Sequence, residues 1–87
     1  MIVIRDEQFQ TIGEVCGILG VEAHTLRFWE KEFADFVKPH RNGRGNRLYS
    51  RKDLETLGNI RNLLTVELYT IAGARRQMYL RQDVCTA

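Results

Sequence analysis

Two apolar runs of helical period, parted by a two-residue step, constrain this chain more than anything else in it. In "TIGEVCGILG", Ile12, Val15, Cys16 and Leu19 recur at i, i+3, i+4 and i+7, the single stripe by which a helix meets a core. Thr11 and Glu14 have the spacing of a capping box, in which each side chain serves the other residue's orphan N–H. Gly20 suits the left-handed residue that ends a helix. After Gly20-Val21, Leu26, Trp29 and Phe33 form a second stripe within "EAHTLRFWEKEF", and Glu22, His24, Thr25, Arg27 and Phe28 fall off it. Glu22 takes the expected N-cap, a structural role. Two short helices joined by so tight a glycine turn predict a helix-turn-helix.

Downstream the pattern changes. In "KPHRNGRGNRLYSRK", Pro39 disfavours helix and biases Lys38 toward an extended shape. Asn42-Gly43 is a hairpin signal, so residues 36–41 and 46–49 are expected to form a two-stranded β wing. Such a hairpin is marginal alone and must lean on the helices, with Val37 and Leu48 as inward anchors. "SRKDLETLGNIRNLLT" predicts a third helix, capped by Ser50 and Asp53 and buried through Leu54, Leu57, Ile60 and Leu64. Thr70 is placed to cap a last helix running through Ile71, Ala74 and Met78. Gly58 and Gly73 fall inside these helices at about 1 kcal/mol each against alanine, which points to close helix packing there. At 87 residues the chain is one domain, 1–87, with its core in about residues 10–80. The expected fold class is mostly α: a winged helix-turn-helix of four short helices with a two-stranded β wing.

Charge is distributed unevenly. The net charge is only +2, yet Lys38, Arg41, Arg44, Arg47, Arg51 and Lys52 fall in one acid-free segment, while residues 1–37 are net acidic. Clustered basicity of this kind marks a polyanion site, because a merely solvated loop mixes its signs. Arg41, Asn42, Arg44 and Arg47 are the wing candidates: guanidinium forks match phosphate oxygens, and contacts of that type position a protein without reading sequence. Arg47 has a second reading, pairing with an acid beneath the wing. Tyr49 is expected to pack its ring and turn its hydroxyl toward phosphate. Arg51 and Lys52 sit at a helix start, where cations oppose the dipole, so they are expected to serve something outside the helix. On the second helix, His24, Thr25 and Arg27 are candidates for base contacts, arginine with guanine and threonine with a thymine methyl. The alternative is a solvated face with Arg27 paired to Glu30. Phe28 is either a groove-edge apolar contact or part of the core, and Trp29 belongs to the core.

Enzyme chemistry finds no foothold. Glu30, Glu32 and Asp35 are the nearest thing to a metal cluster, but a solvated acidic face is the commoner reading. Cys16, Cys85, His24 and His40 lack zinc-site spacing. There is no nucleophile elbow, phosphate loop or dinucleotide fingerprint. No catalytic residue, metal or cofactor is therefore expected. No apolar run has the length of a membrane span, and "MIVI" is too short for a signal sequence. These features predict a cytoplasmic protein with reduced thiols, Cys85 lying in a frayed C-terminus; nucleoid association is expected only with the DNA-binding reading below.

The string "TLRFWE" in the second helix, with "RLYS" after the wing turn, resembles the N-terminal DNA-binding domain of the MerR family of bacterial regulators. That family carries a Thr-Leu-Arg-Tyr-Tyr-Glu-like string there, and a Gly-x-Arg-x-Tyr string that Gly45, Arg47 and Tyr49 match. Order and spacing agree from about Gln10 to Met78. The resemblance implies a sequence-specific double-stranded DNA-binding domain of a transcriptional regulator, its second helix in the major groove and its wing on the backbone. It also implies pairing through a long C-terminal helix, often with an effector domain beyond. This sequence departs in three places. It stops at Ala87, so neither the long pairing helix nor a sensor is expected, and a homodimer would have to form without that helix. It has Phe28-Trp29 in place of two tyrosines, losing a phenol hydroxyl at position 28. It has Leu68 where a glycine commonly precedes the last helix. Two other functions fit the residues: an excisionase-like factor that binds side by side and bends DNA, and a protein-interaction module whose basic wing docks an acidic partner. The last would centre on anchors such as Phe28 or Tyr69.

Overall fold

Thr11 ends one element and caps the next. Its hydroxyl accepts from the Glu14 N–H (3.3 Å) while its own N–H donates to Glu14 Oε1 (2.9 Å), so the capping box is complete. The computed structural model describes residues 9–86, with side chains through Arg81; the "MIVI" run and the Cys85 thiol lie outside that range. Element order is β1 (Gln10–Thr11), α1 (Ile12–Leu19), α2 (Ala23–Glu32), β2 (His40–Arg41), β3 (Arg47–Tyr49), α3 (Arg51–Thr65) and α4 (Ile71–Thr86).

The helix-turn-helix forms as its local signals require. Gly20 takes the left-handed conformation (φ 71°), and its N–H and that of Val21 both close on the Cys16 carbonyl (2.8 and 3.2 Å). Arg61 on α3 adds a tertiary clasp, donating to the Leu19 carbonyl at 3.1 Å. Val15 and Leu19 of α1 and Leu26, Trp29 and Phe33 from α2 and its cap are buried, with Ile12 and Cys16 partly so. Glu22 is the N-cap of α2, but its side chain makes no capping bond.

The wing is larger than the expected hairpin, and its strands are shorter. β3 pairs antiparallel with β2 (Arg41 opposite Arg47) and, on its other edge, with β1 (Thr11 opposite Leu48), giving the order β1-β3-β2. The two-stranded wing is therefore built onto a third, two-residue strand before α1. Alternation along β3 sends Arg47 and Tyr49 to one face and Leu48 to the other. Tyr49, not Leu48, is consequently the inward anchor beside Val37; Leu48 is only half-buried.

α3 begins with a second complete capping box between Ser50 and Asp53. Its buried seam is Leu57, Ile60 and Leu63. Leu64, expected there, is partly buried, as is Leu54: α3 packs against both α1 and α4, and the 3.6-residue period brings two adjacent positions near the core. Neither glycine marks helix-on-helix packing: a Cβ at Gly73 would first meet Tyr69 and Thr70 in the turn just before α4, at 3.2 and 3.3 Å, and one at Gly58 would meet nothing within 4 Å. α4 is capped by the Thr70 hydroxyl, which accepts from the Gly73 N–H (3.0 Å), and buries Ala74 and Met78. It is tied to the end of α2: Arg75 donates to the Glu32 carbonyl, and Tyr79 packs edge-on to Phe36 (4.8 Å) and donates to Asp35.

In the turn between α3 and α4, Leu68 sits at φ 61° with 76% of its surface exposed. A leucine there carries the left-handed penalty of about 1–2 kcal/mol per residue with little burial to offset it. Leu68→Gly is expected to raise stability by about 0.5–1 kcal/mol after the glycine's extra unfolded-state entropy is deducted. Urea denaturation of the two proteins checks this, and a destabilised glycine variant would show that the exposed leucine side chain stabilises the turn.

Candidate nucleic-acid interface

Residue types fix the shape of the wing tip. The Gly45 N–H donates to the Asn42 carbonyl (2.9 Å) and Gly45 follows in the left-handed conformation (φ 83°), the three-residue loop pattern that suits a twisted hairpin. Gly43, the obvious turn residue in the sequence, is not left-handed. The Asn42 side-chain oxygen accepts from the N–H groups of Arg44 (2.8 Å) and Asn46 (3.0 Å). Asn42 therefore builds the loop, leaving only its amide NH2 to face outward. Arg41 reaches across, one guanidinium nitrogen donating to the Gly45 carbonyl (2.9 Å). Both Arg41 and Arg44 are exposed, and among the described residues no carboxylate pairs with either.

The wing root is built differently. Arg47 and Tyr49, on one face of β3, converge on a single carboxylate of α2: Arg47 Nε lies 2.9 Å from Glu30 Oε1, and the Tyr49 hydroxyl donates to Glu30 Oε2. Tyr49 is fully buried, so its hydroxyl faces Glu30 and cannot reach a phosphate, contrary to expectation. Arg47 takes its second reading, the acid beneath the wing. Glu30 in turn is claimed by the wing root and forms no pair with Arg27. Burial, and then the bond to Glu30, pushes the Tyr49 phenol well above its ordinary value.

That shift fixes a pH dependence. A phenol that holds its proton more tightly when folded contributes its full stability below the unfolded pKa, about 10, and loses it as pH rises beyond. Stability is therefore expected to decline above about pH 10, by at most ~1.4 kcal/mol per pH unit from this group. Tyr49→Phe should remove that component. Chemical denaturation of both proteins between pH 8 and 11 is the check, and equal alkaline slopes would mean that the buried phenol is not its source.

On α2, His24, Arg27 and Phe28 are exposed and Thr25 is half-buried. Phe28 is thus not part of the core. Lys31, four residues after Arg27 and also exposed, extends the same face; the i, i+4 spacing could have revealed it. Arg27 also touches the molecule's interior electrically: burial pushes the half-buried Cys16 thiol up, and the Arg27 charge draws it back. One turn separates Arg27 from Glu30, so the outward face of α2 and the wing root are joined through one side chain.

Arg51 and Lys52 occupy the exposed first turn of α3, directly after β3. Below them Asp53 is buried and uses both oxygens, accepting from the Ser50 N–H (3.2 Å) and the Lys38 N–H (3.4 Å). The cap of α3 therefore also pins the extended segment before β2, a role its local spacing does not disclose. Glu30 and Asp35 of the acidic group are likewise paired, Asp35 with Tyr79 and, at 3.6 Å, Arg75. No set of three His, Cys, Asp or Glu side chains that could hold a metal occurs among the described residues. No helix among them is long and apolar enough to cross a membrane.

The family model described as MerR HTH family regulatory protein matches residues 10–80. The chain is also 33% identical over 67 residues to the regulator protein TubY of Clostridium botulinum C phage, an alignment covering 77% of this chain and 28% of that protein. The chain thus spans little more than a quarter of the relative it matches.

Proposed function

The chain belongs to the MerR helix-turn-helix family of regulatory proteins, and from that premise we propose that it is a sequence-specific double-stranded DNA-binding domain acting in transcriptional regulation. The observation that carries this is the Glu30 junction. It couples an exposed, cationic face of α2 to a wing whose tip holds two arginines that pair with no carboxylate among the described residues. A solvated surface has no need of that coupling, whereas a rigid two-point grip on a duplex does.

In this reading α2 lies in the major groove, where His24, Thr25, Arg27 and Phe28 face base edges. Arg41 and Arg44, with the Asn42 amide, grip the flanking backbone, and Arg51 and Lys52 add phosphate contacts at the start of α3. Arg47 and Tyr49 act indirectly, by positioning the wing. The compartment follows from the ligand: a protein that reads DNA works where the DNA is, in the bacterial case the cytoplasm and its nucleoid.

The test is fluorescence anisotropy of the chain with a duplex across a salt series. With about four to six phosphate contacts, log K should fall against log salt with a slope of roughly −4 to −5. Absence of binding at low salt would overturn the proposal and leave the basic wing to an acidic protein partner.

A further inference from the structure

Phe28 is the one apolar side chain on the outward face of α2. His24 precedes it by one turn, Arg27 adjoins it and Lys31 follows three residues on, all three exposed and polar. Its ring is 48% exposed, while Trp29 beside it is almost wholly buried. Among the described residues no ring contact engages Phe28. The fold does not need it there, since Leu26, Trp29 and Phe33 already close the buried side of the helix. An aromatic ring left half in water on a cationic face is held at a cost to solvation, and it has neither donor nor acceptor to offer.

In the major groove an unfunctionalised ring can discriminate only one thing. Base edges there present donors, acceptors and a single apolar group, the C5-methyl of thymine. We propose that Phe28 reads a pyrimidine C5-methyl, so that the DNA site contains a thymine under this ring whose methyl, and not its hydrogen-bonding edge, is recognised. The inference rests on the DNA-binding reading above and adds a ligand chemistry to it. Position 28 then acts as a specificity determinant by apolar contact. Arg27, beside it, supplies the hydrogen bonds.

The experiment begins by enriching a site from a random duplex library with the chain, then replacing each thymine singly by uracil, which deletes the methyl and nothing else. One substitution should weaken binding roughly four-fold, the worth of one buried carbon. Phe28→Ala should bind the thymine and uracil duplexes alike, Phe28→Leu should retain part of the preference, and both should keep the parent's thermal stability because the ring lies outside the core. Indifference to uracil at every position overturns the inference. So does a thymine preference that survives in Phe28→Ala, which would locate the methyl's effect in DNA shape. A library that binds without enriching any sequence overturns it while leaving a non-specific DNA binder. Failure to bind any duplex at low salt is the separate result that removes the DNA-binding reading itself.

Discussion

Glu30→Ala is expected to destabilise the domain by about 2–3 kcal/mol, a fall in Tm of roughly 8–24 °C for a chain of this size. The Glu30 side chain is only 10% exposed and serves two partners at once. Removing it strands the hydroxyl of a fully buried tyrosine, and a buried donor without an acceptor carries its whole desolvation penalty. It also leaves the Arg47 guanidinium without its counter-charge. Because Arg47 is 29% exposed, water compensates part of that loss, which places the effect below the range for a fully buried pair. Glu30→Gln keeps an acceptor for Tyr49 and loses the charge, so it should fall between the parent and the alanine variant. Thermal and urea denaturation followed by circular dichroism give the ordering. Equal stability of the alanine variant and the parent would mean that the wing root is held by packing alone.

The second large effect is on binding and should leave folding alone. Arg41→Ala combined with Arg44→Ala removes two exposed cations, of which Arg41 makes a single bond to a loop carbonyl. Stability should stay within about 0.5 kcal/mol of the parent. Each arginine that meets a phosphate contributes close to one unit of salt slope, so the double variant should show a slope shallower by about 2. Its affinity at low salt should drop on the order of 10- to 100-fold, the worth of two partly realised charged hydrogen bonds. Anisotropy across a salt series measures both quantities. An unchanged slope would remove the wing tip from the interface and favour a protein partner for it.

What could be read from the sequence alone was whatever is settled within a turn or two of chain. Both capping boxes, the left-handed Gly20 and the stripes of α1 and α2 depend on spacings of three or four residues, and all stand in the structure. β1 escaped notice because two residues carry no periodicity, and Gln10–Thr11 becomes a strand only when β3 lies beside it. Once β3 is central, alternation decides that Tyr49 is buried and Leu48 is not, and no local signal shows which parity holds. The choice at Glu30 was of the same kind. Arg27 lies three residues away along the chain, yet the carboxylate goes to Arg47, brought to it by the fold. The cap by Asp53 was legible, but its further bond from the Lys38 N–H was not, because Lys38 is far off in sequence. His24 and Arg27, off the apolar stripe of α2, and Arg41, Asn42 and Arg44 at the wing tip are exposed as such positions suggest. Thr25, also off the stripe, is half-buried, and Phe28, which the pattern left open, is exposed.

The pairing of Thr11 with Leu48 has a topological consequence. It joins the two ends of everything between them, so the helix-turn-helix and the wing hang as one closed loop on β1 and β3. Closing a long loop carries an entropy penalty that a pair this short cannot meet alone. The closure must therefore form together with Tyr49 entering the core and α3 docking behind it. A peptide spanning α1 and α2 alone would keep its caps and lose its clasp. Because the same buried cluster runs on into Ala74 and Met78 of α4, the helix-turn-helix is a part of one core rather than a module within it.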